Sequence, residues 1–306
     1  MDFALIGEVT SVLHIVRNLA LALLIVTIKK REYNFIVMVM FFVGIDLAWS
    51  EKNGTGIAIL RGNKNKADFC YGDIVSSDKD ILDYIKKIVK NQNALIAIDA
   101  PLIVPNKEGR RETEKLVGIL FRKYDAGAHP SNRKRLSQWS GKIRGEEISR
   151  LLEKNKFEHS PYIEIFERKR KFFEVFPHPS MVVLFKLNKI LRYKAKPKRD
   201  YEFRWKEFRK YQSYLKNLGY TKPSLVLPKE ILEKDVRKLK AQALKNYEDL
   251  VDAIFCAYIA YYYWSNPDKC AVLGDMEKGY ILTPVFDFMQ KQLKDINSQK
   301  KLIEFK

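Results

Sequence analysis

The stretch FFVGIDLAWSEKNGTGIAIL, residues 41–60, decides how the chain is read. From Val37 to Leu47 the residues are apolar, aromatic or glycine except for one acid, Asp46. Such a run reads as a buried strand, and a carboxylate inside it costs free energy unless something compensates the charge. The Asn- and Gly-containing segment after Ser50 is a turn, and GTGIAILRG and ADFCYGDIV follow with further turn residues between them. Three successive strands in an antiparallel meander are predicted.

Outward from the meander, SSDKDILDYIKKIVKNQ opens with serines and carries Ile81, Leu82, Ile85, Ile88 and Val89 at helical spacing, so an amphipathic helix follows. ALIAIDAPL is a short continuous apolar run stopped by Pro101, the pattern of a buried strand beside and parallel to the first. Its acid, Asp99, falls at the C-terminal end. Residues 111–124 read as helix, and 125–160 lose clear periodicity, which predicts an irregular insertion. KFFEVFPHPS reads as a strand ended by two prolines. Helices are expected over 201–220 and 227–245, on either side of a loop, and NYEDLVDAIFCAYIAYYYW is apolar almost all round, hence a buried helix. CAVLGD and GYILTP suggest a last strand pair.

Lys and Arg number 56 against 37 Asp and Glu, a net charge of +19, so the molecule's field attracts polyanions. The other reading of that charge is an ordinary solvated, lysine-rich surface. The three cysteines, Cys70, Cys256 and Cys270, form no C-x-x-C pair, and the four histidines are scattered. Neither a disulfide framework nor a zinc site is indicated, and a reducing, cytoplasmic setting fits. The apolar run LALALLIVTI, residues 19–28, is too short to span a bilayer. Residues 1–37 read as an N-terminal extension, either a start-site artefact with Met38 or Met40 opening the protein, or an amphipathic helix. One domain is expected over 38–290, with insertions near 125–160 and 186–245, and a polar tail over 291–306.

The late helix carries Asp249 and Asp252, three apart and so on one face, which this reading puts at its N-terminal turn. Capping and the helix dipole explain one acid there but not two ahead of a long apolar run. Neighbouring strands lie roughly 5 Å apart, so Asp46 and Asp99 can meet, with the helical acids closing over them. Clustered carboxylates repel one another unless a cation intervenes. Mg²⁺ or Mn²⁺ suits all-oxygen donors, and two such ions roughly 4 Å apart can activate water and stabilise the leaving oxygen in phosphodiester hydrolysis. Metal ligands are thus expected at Asp46, Asp99, Asp249 and Asp252, with Glu174 as a fifth candidate or a solvent-facing strand residue.

GIDLAWS, IDAPL, GRRETEK, EVFPHPS, YKAKPKR and EDLVDAIFCAYIA, in that order, resemble the motif series of the domain-of-unknown-function family 429, described as predicted ribonuclease H-like nucleases. The D-x-x-D-A at Asp249 to Ala253 also resembles the last motif of bacterial Holliday-junction resolvases, which share that fold. The resemblance implies a mixed α/β sheet with helices on both faces. It makes Asp46 the acid of strand one, Asp99 that of strand four, and Asp249 with Asp252 the helical pair.

From Lys186 to Lys216 there are 12 Lys and Arg and 3 acids, interleaved with seven aromatic residues. Cations hold phosphates and rings stack on unpaired bases. After Tyr201 an amphipathic helix with its aromatics in the core explains the pattern better. RYKAKPKR has a proline and no apolar face, which makes Lys194, Lys196, Lys198 and Arg199 candidates for phosphate contact. Arg110 and Arg111 are a second set, and His178 is a candidate for a phosphate hydrogen bond or a proton shuttle, or else a turn residue. The expected partner is DNA or RNA; a homodimer is compatible and no obligate protein partner is implied. Competing readings are a nucleic-acid-binding protein without catalysis and an ATPase or phosphotransferase of the actin and sugar-kinase type. The latter needs a late Gly-rich nucleotide loop, and the chain has no Gly-Gly pair.

Overall fold

The computed structural model describes residues 39–304 apart from 51–52 and 139–140; the readings placed on residues 1–37 fall outside the described residues. Strands β1 (Met40–Asp46), β2 (Thr55–Gly62) and β3 (Lys66–Val75) form the antiparallel meander. On the other side of β1, strand β4 (Ala94–Asp99) pairs with it in parallel. Edge strand β5 (Glu158–His159) pairs with β6 (Arg170–Glu174), which pairs with β4, both in parallel. The short β7 (Ser224–Val226) closes the far edge beside β3. The sheet order β5-β6-β4-β1-β2-β3-β7 is an α/β arrangement with ribonuclease H-like topology. The chain departs from β1 to one side through β2 and to the other through β4, so the strand order reverses at β1, the place where open α/β sheets leave a crevice at their carboxyl ends.

Strand alternation splits the core in two. Phe41, Val43, Ile45, Ile96, Ile98 and Phe172 face one way, against α1 (Asp78–Val89) and, beyond the helices α2 (Glu112–Phe121) and α3 (Arg133–Ser137), α4 (Arg144–Lys154). Ser77 and Asp80 cap α1 reciprocally. Met40, Phe42, Leu95, Ala97 and Phe173 face the other way. After α5 (Pro177–Leu184), α6 (Tyr201–Asn217) and the short α7 (Lys229–Leu232), the 25-residue α8 (Ala241–Ser265) covers that second face. A hairpin of β8 (Cys270–Asp275) and β9 (Gly279–Pro284) packs with α2 and with α9 (Asp287–Glu304) in a separate cluster around Leu120, Phe121, Ile281 and Met289.

Helix α8 lies unusually close to the sheet because glycines let it. A Cβ on Gly44 would stand 1.9 Å from the Ala253 carbonyl oxygen and 2.2 Å from the Ala257 nitrogen, and one on Gly56 would stand 2.1 Å from the Asp249 carbonyl oxygen. The facing positions on α8, Ala253 and Ala257, are also small. Sheet and helix backbones thus touch without intervening side chains, which fixes the depth and phase of α8.

Three elements differ from expectation. The segment 125–160 contains α4, whose Ile148 and Leu152 pack on the sheet; its apolar stripe is too short for periodicity to reveal. The stretch 227–245 is not one helix: after α7 and a 3₁₀ turn at Val236–Lys238 the chain restarts at Ala241 and runs unbroken through the buried segment. Asp249 and Asp252 therefore sit in the third and fourth turns, where a capping role does not apply. Residues from 291 continue α9 to Glu304. Among the described residues no helix is long and apolar enough to cross a membrane.

Candidate active site

The parity that sends Phe42 and Gly44 toward α8 sends Asp46 there too, and Asp99, paired in register with Asp46, follows Leu95 and Ala97. Both acids end their strands on the side where α8 presents Asp249 and Asp252. The structure therefore brings together the four acids singled out in the sequence. Asp46, Asp99 and Asp249 line a cavity of about 840 Å³ at the carboxyl edge of the sheet. Asp252, fully buried, lies behind them.

Asp46 stands close enough to Asp249 for its charge to oppose the ionisation of that residue. Burial first, and repulsion by Asp46 second, raise Asp249 to about 7 against the opposing pull of Lys245. Burial also raises Asp46, opposed chiefly by Lys194, and Asp99 stands well above the carboxylate range through burial and then Asp46. The group holds more negative charge than its surroundings neutralise.

Two lysines supply what compensation there is. Lys245, one turn before Asp249, pairs with that residue and with Glu248. Lys194 places its Nζ 2.8 Å from Asp252 Oδ2. The other Asp252 oxygen accepts the Tyr193 hydroxyl at 2.7 Å, with the Tyr211 hydroxyl at 3.2 Å. Lys194 is thus not a surface cation of its loop but a member of the acid group. Its neighbours divide: Lys196 and Lys198 are exposed, and Arg199 donates to the carbonyls of Arg192 and Lys194.

Glu174 lines the same cavity as Asp46, Asp99 and Asp249, approaching it with the strand parity of Phe172. There its oxygens accept Arg111 at 2.6 and 3.0 Å and the Leu102 amide at 2.9 Å. Arg111, 3 % exposed, also binds Glu114; its guanidinium is committed to a buried ion triad, whereas Arg110 is exposed. His178 lines the cavity from the first turn of α5. Burial, then Lys194, push its pKa down to about 3, so at neutral pH the ring is uncharged.

Further lining residues were not singled out in the sequence. Trp49, three residues past Asp46, is 47 % exposed at the cavity, with the Arg135 guanidinium 5.4 Å from its ring centroid. Arg144 pins the loop after β1 through the Ala48 carbonyl and Thr55 hydroxyl, both at 2.9 Å, and its Nη2 is buried without a partner. Trp49 lies within the quoted GIDLAWS, and Lys245 stands at i−4 from Asp249; those spacings were the available signals. Arg135 and Arg144 come from the segment read as irregular, which forms one wall of the cavity.

As the side chains stand, no three His, Cys, Asp or Glu groups among the described residues form a ready metal cage; Asp249 is turned to Lys245 and Asp252 to Lys194. In metal-free buffer the raised Asp249 value has a consequence for stability. The folded chain holds this proton more tightly than the unfolded one, whose ordinary value is 3.8, so the contribution is full below that value and is lost as pH rises through about 7. The melting midpoint of wild type relative to Asp249→Asn is expected to fall between about pH 4 and about pH 7. A difference that stays flat or grows across that window contradicts the assignment.

The model of a family described as "Protein of unknown function (DUF429)" matches residues 44–278. No curated protein and no solved structure matches the chain.

Proposed function

We propose, from the premise that the chain belongs to the DUF429 family, that it is a metal-dependent nuclease hydrolysing phosphodiester bonds in nucleic acid. The observation that carries this reading is the convergence of Asp46, Asp99 and Asp249 on one cavity whose other walls bear Arg135, Arg144, Lys194 and Lys245. By donor type the acids suit a divalent cation with oxygen ligands, and Asp46, Asp99 and Asp249 would hold it once Asp249 turned from Lys245. Bound there, Mg²⁺ or Mn²⁺ supplies a Lewis acid and lowers the pKa of a coordinated water.

The chain's own groups do the rest. Arg144, its Nη2 unspent, and Arg135 offer guanidinium donors of the kind that suit phosphate oxygens. Trp49 offers an aromatic face on which a base of any identity can stack. His178 lines the cavity with its ring held uncharged by burial, so it can offer a substrate a neutral hydrogen bond and no charge. The net charge of +19 draws the polyanion in.

The test is to incubate the purified chain with labelled single-stranded, duplex and branched DNA and RNA in Mg²⁺, Mn²⁺ or chelator. Cleavage in metal that stops in chelator is expected for at least one substrate. Trp49→Ala is expected to raise KM by about tenfold, the worth of one stacked base, with kcat little changed. Binding without any cleavage would favour a non-catalytic nucleic-acid-binding protein, and ATP hydrolysis a phosphotransferase.

A further inference from the structure

We infer, resting on the reading of the site as a nuclease, that the Trp49 side of the cavity is a subsite for an unpaired nucleotide, its base stacked on Trp49 and its phosphate held by Arg135 with Lys196 and Arg110. The substrate is then a single strand of nucleic acid and not a closed duplex.

Three observations lead there. First, Trp49 is held out as a platform. It is 47 % exposed at the cavity, while Leu47 and Ser50 beside it are buried. Its backbone is clamped from both sides: Arg144 Nη1 donates to the Ala48 carbonyl at 2.9 Å and reaches the Ser50 carbonyl at 3.4 Å, and the Ala48 amide donates to the Thr55 hydroxyl at 3.2 Å. Arg144 is itself anchored, with Nε 2.8 Å from Asp78. An indole serving the core would be buried, as Trp264 is. Three residues of chain span at most about 10 Å, so a strand that meets the Trp49 ring also passes Asp46.

Second, the cations near that ring are unspent. Among the Lys and Arg that line the cavity, Arg111 is committed to Glu114 and Glu174, Lys194 to Asp252, Lys245 to Asp249 and Glu248, and Arg144 to Asp78. Arg135 has instead the Pro130 carbonyl at 3.3 Å and the Trp49 ring, 5.4 Å from its guanidinium carbon. Burial first, then Lys196, Arg135 and Arg110, lower the pKa of His129, another lining residue, and no acid is among the groups acting on it. Lys196 and Arg110 are exposed. The three cations thus gather at one part of the rim, beside the tryptophan and apart from the carboxylates.

Third, such a platform reads pairing state. In a duplex each base has neighbours over both faces, so it can offer a face to Trp49 only after leaving the stack, a cost that an unpaired strand escapes. The cavity, about 840 Å³, is of the size that encloses a small molecule. It has room for a nucleotide and not for a duplex, whose major groove alone is about 12 Å wide. Stacking is open to every base, so the preference is for strandedness and not for sequence.

The test measures binding in chelator, where neither metal nor cleavage enters. Anisotropy of a labelled oligonucleotide is followed against the full chain for single-stranded DNA, single-stranded RNA of the same sequence, and the blunt duplex of each. At least one single strand is expected to bind more tightly than its duplex by about tenfold or more, and which one does so names the sugar. Trp49→Ala is expected to lose about tenfold on that strand and to leave duplex binding unchanged. Trp49→Phe, which keeps an aromatic face, is expected to stay within about threefold of wild type while the bound strand quenches less of the intrinsic tryptophan fluorescence. Lys196→Ala is expected to flatten the slope of log affinity against log salt by roughly 0.7, the worth of one phosphate contact on a single strand. Duplexes bound as tightly as both single strands, or a Trp49→Ala chain that binds single strands as wild type does, overturns the inference and leaves the nuclease reading to the cleavage assay in Mg²⁺ or Mn²⁺. Selective single-strand binding by a chain that cuts nothing in either metal keeps the subsite and removes the nuclease reading.

Discussion

Asp46→Asn is expected to lower metal-dependent cleavage by about a thousandfold or more, roughly 4 kcal/mol of transition-state stabilisation, while leaving the melting midpoint unchanged or higher. Asp46 is the acid through which the group is joined: it pairs in register with Asp99, and its charge bears on Asp249. Asparagine preserves its shape and one oxygen but removes the charge that a divalent cation needs. The same charge is a cost to the metal-free fold, because burial and Asp252 both push it toward protonation, so its removal relieves repulsion. The opposite movement of activity and stability separates a site residue from a structural one. Cleavage within a few-fold of wild type by the folded variant, in the same Mg²⁺ buffer, would remove Asp46 from the proposed chemistry.

Gly44→Ala is expected to cost about 4 kcal/mol or more and to lower the midpoint by roughly 10 °C. The added methyl would meet backbone atoms of α8 at 1.9 and 2.2 Å, and backbone within a buried helix has no rotamer by which to yield. Relief requires α8 to lift from the sheet and carry Asp249 and Asp252 with it, so activity should fall even under conditions where the variant remains folded. Gly127→Ala, where an added Cβ meets nothing within 4 Å, is the control and should stay within about 0.5 kcal/mol of wild type. Thermal melts of both variants decide the matter; equal midpoints would mean that the close contact of helix and sheet is not as described.

Much of this was legible before any coordinates. The meander, the parallel strand after it and the buried late helix follow from period-two runs, turn residues and an all-round apolar segment, and these elements alone place Asp46, Asp99, Asp249 and Asp252 at one edge. Glu174 was half legible: the period of two separates it from Phe173, but which of the two faces meets α8 depends on pairing with β4. The start of α8 was not legible, because AQALK continues the polar composition of the segment before it and only the turn at Val236–Lys238 divides them. Nor could the two arginines at 110 and 111 be told apart, since the burial of the second depends on Glu174, 63 residues on. Lys194 was read as a candidate phosphate contact because its stretch has a proline and no apolar face; Tyr193, Arg204 and Glu207 place it beside Asp252, and they become its neighbours only in the folded chain.

Asp249 arrives late in the chain. Ribosomes deliver residue 46 and residue 99 long before α8, which begins at Ala241, and the sheet's second face stays uncovered until that helix is released. A chain still being synthesised therefore holds two acids with neither the third nor Lys245. On the nuclease reading the protein becomes competent only when roughly its last fifth has been made and has docked.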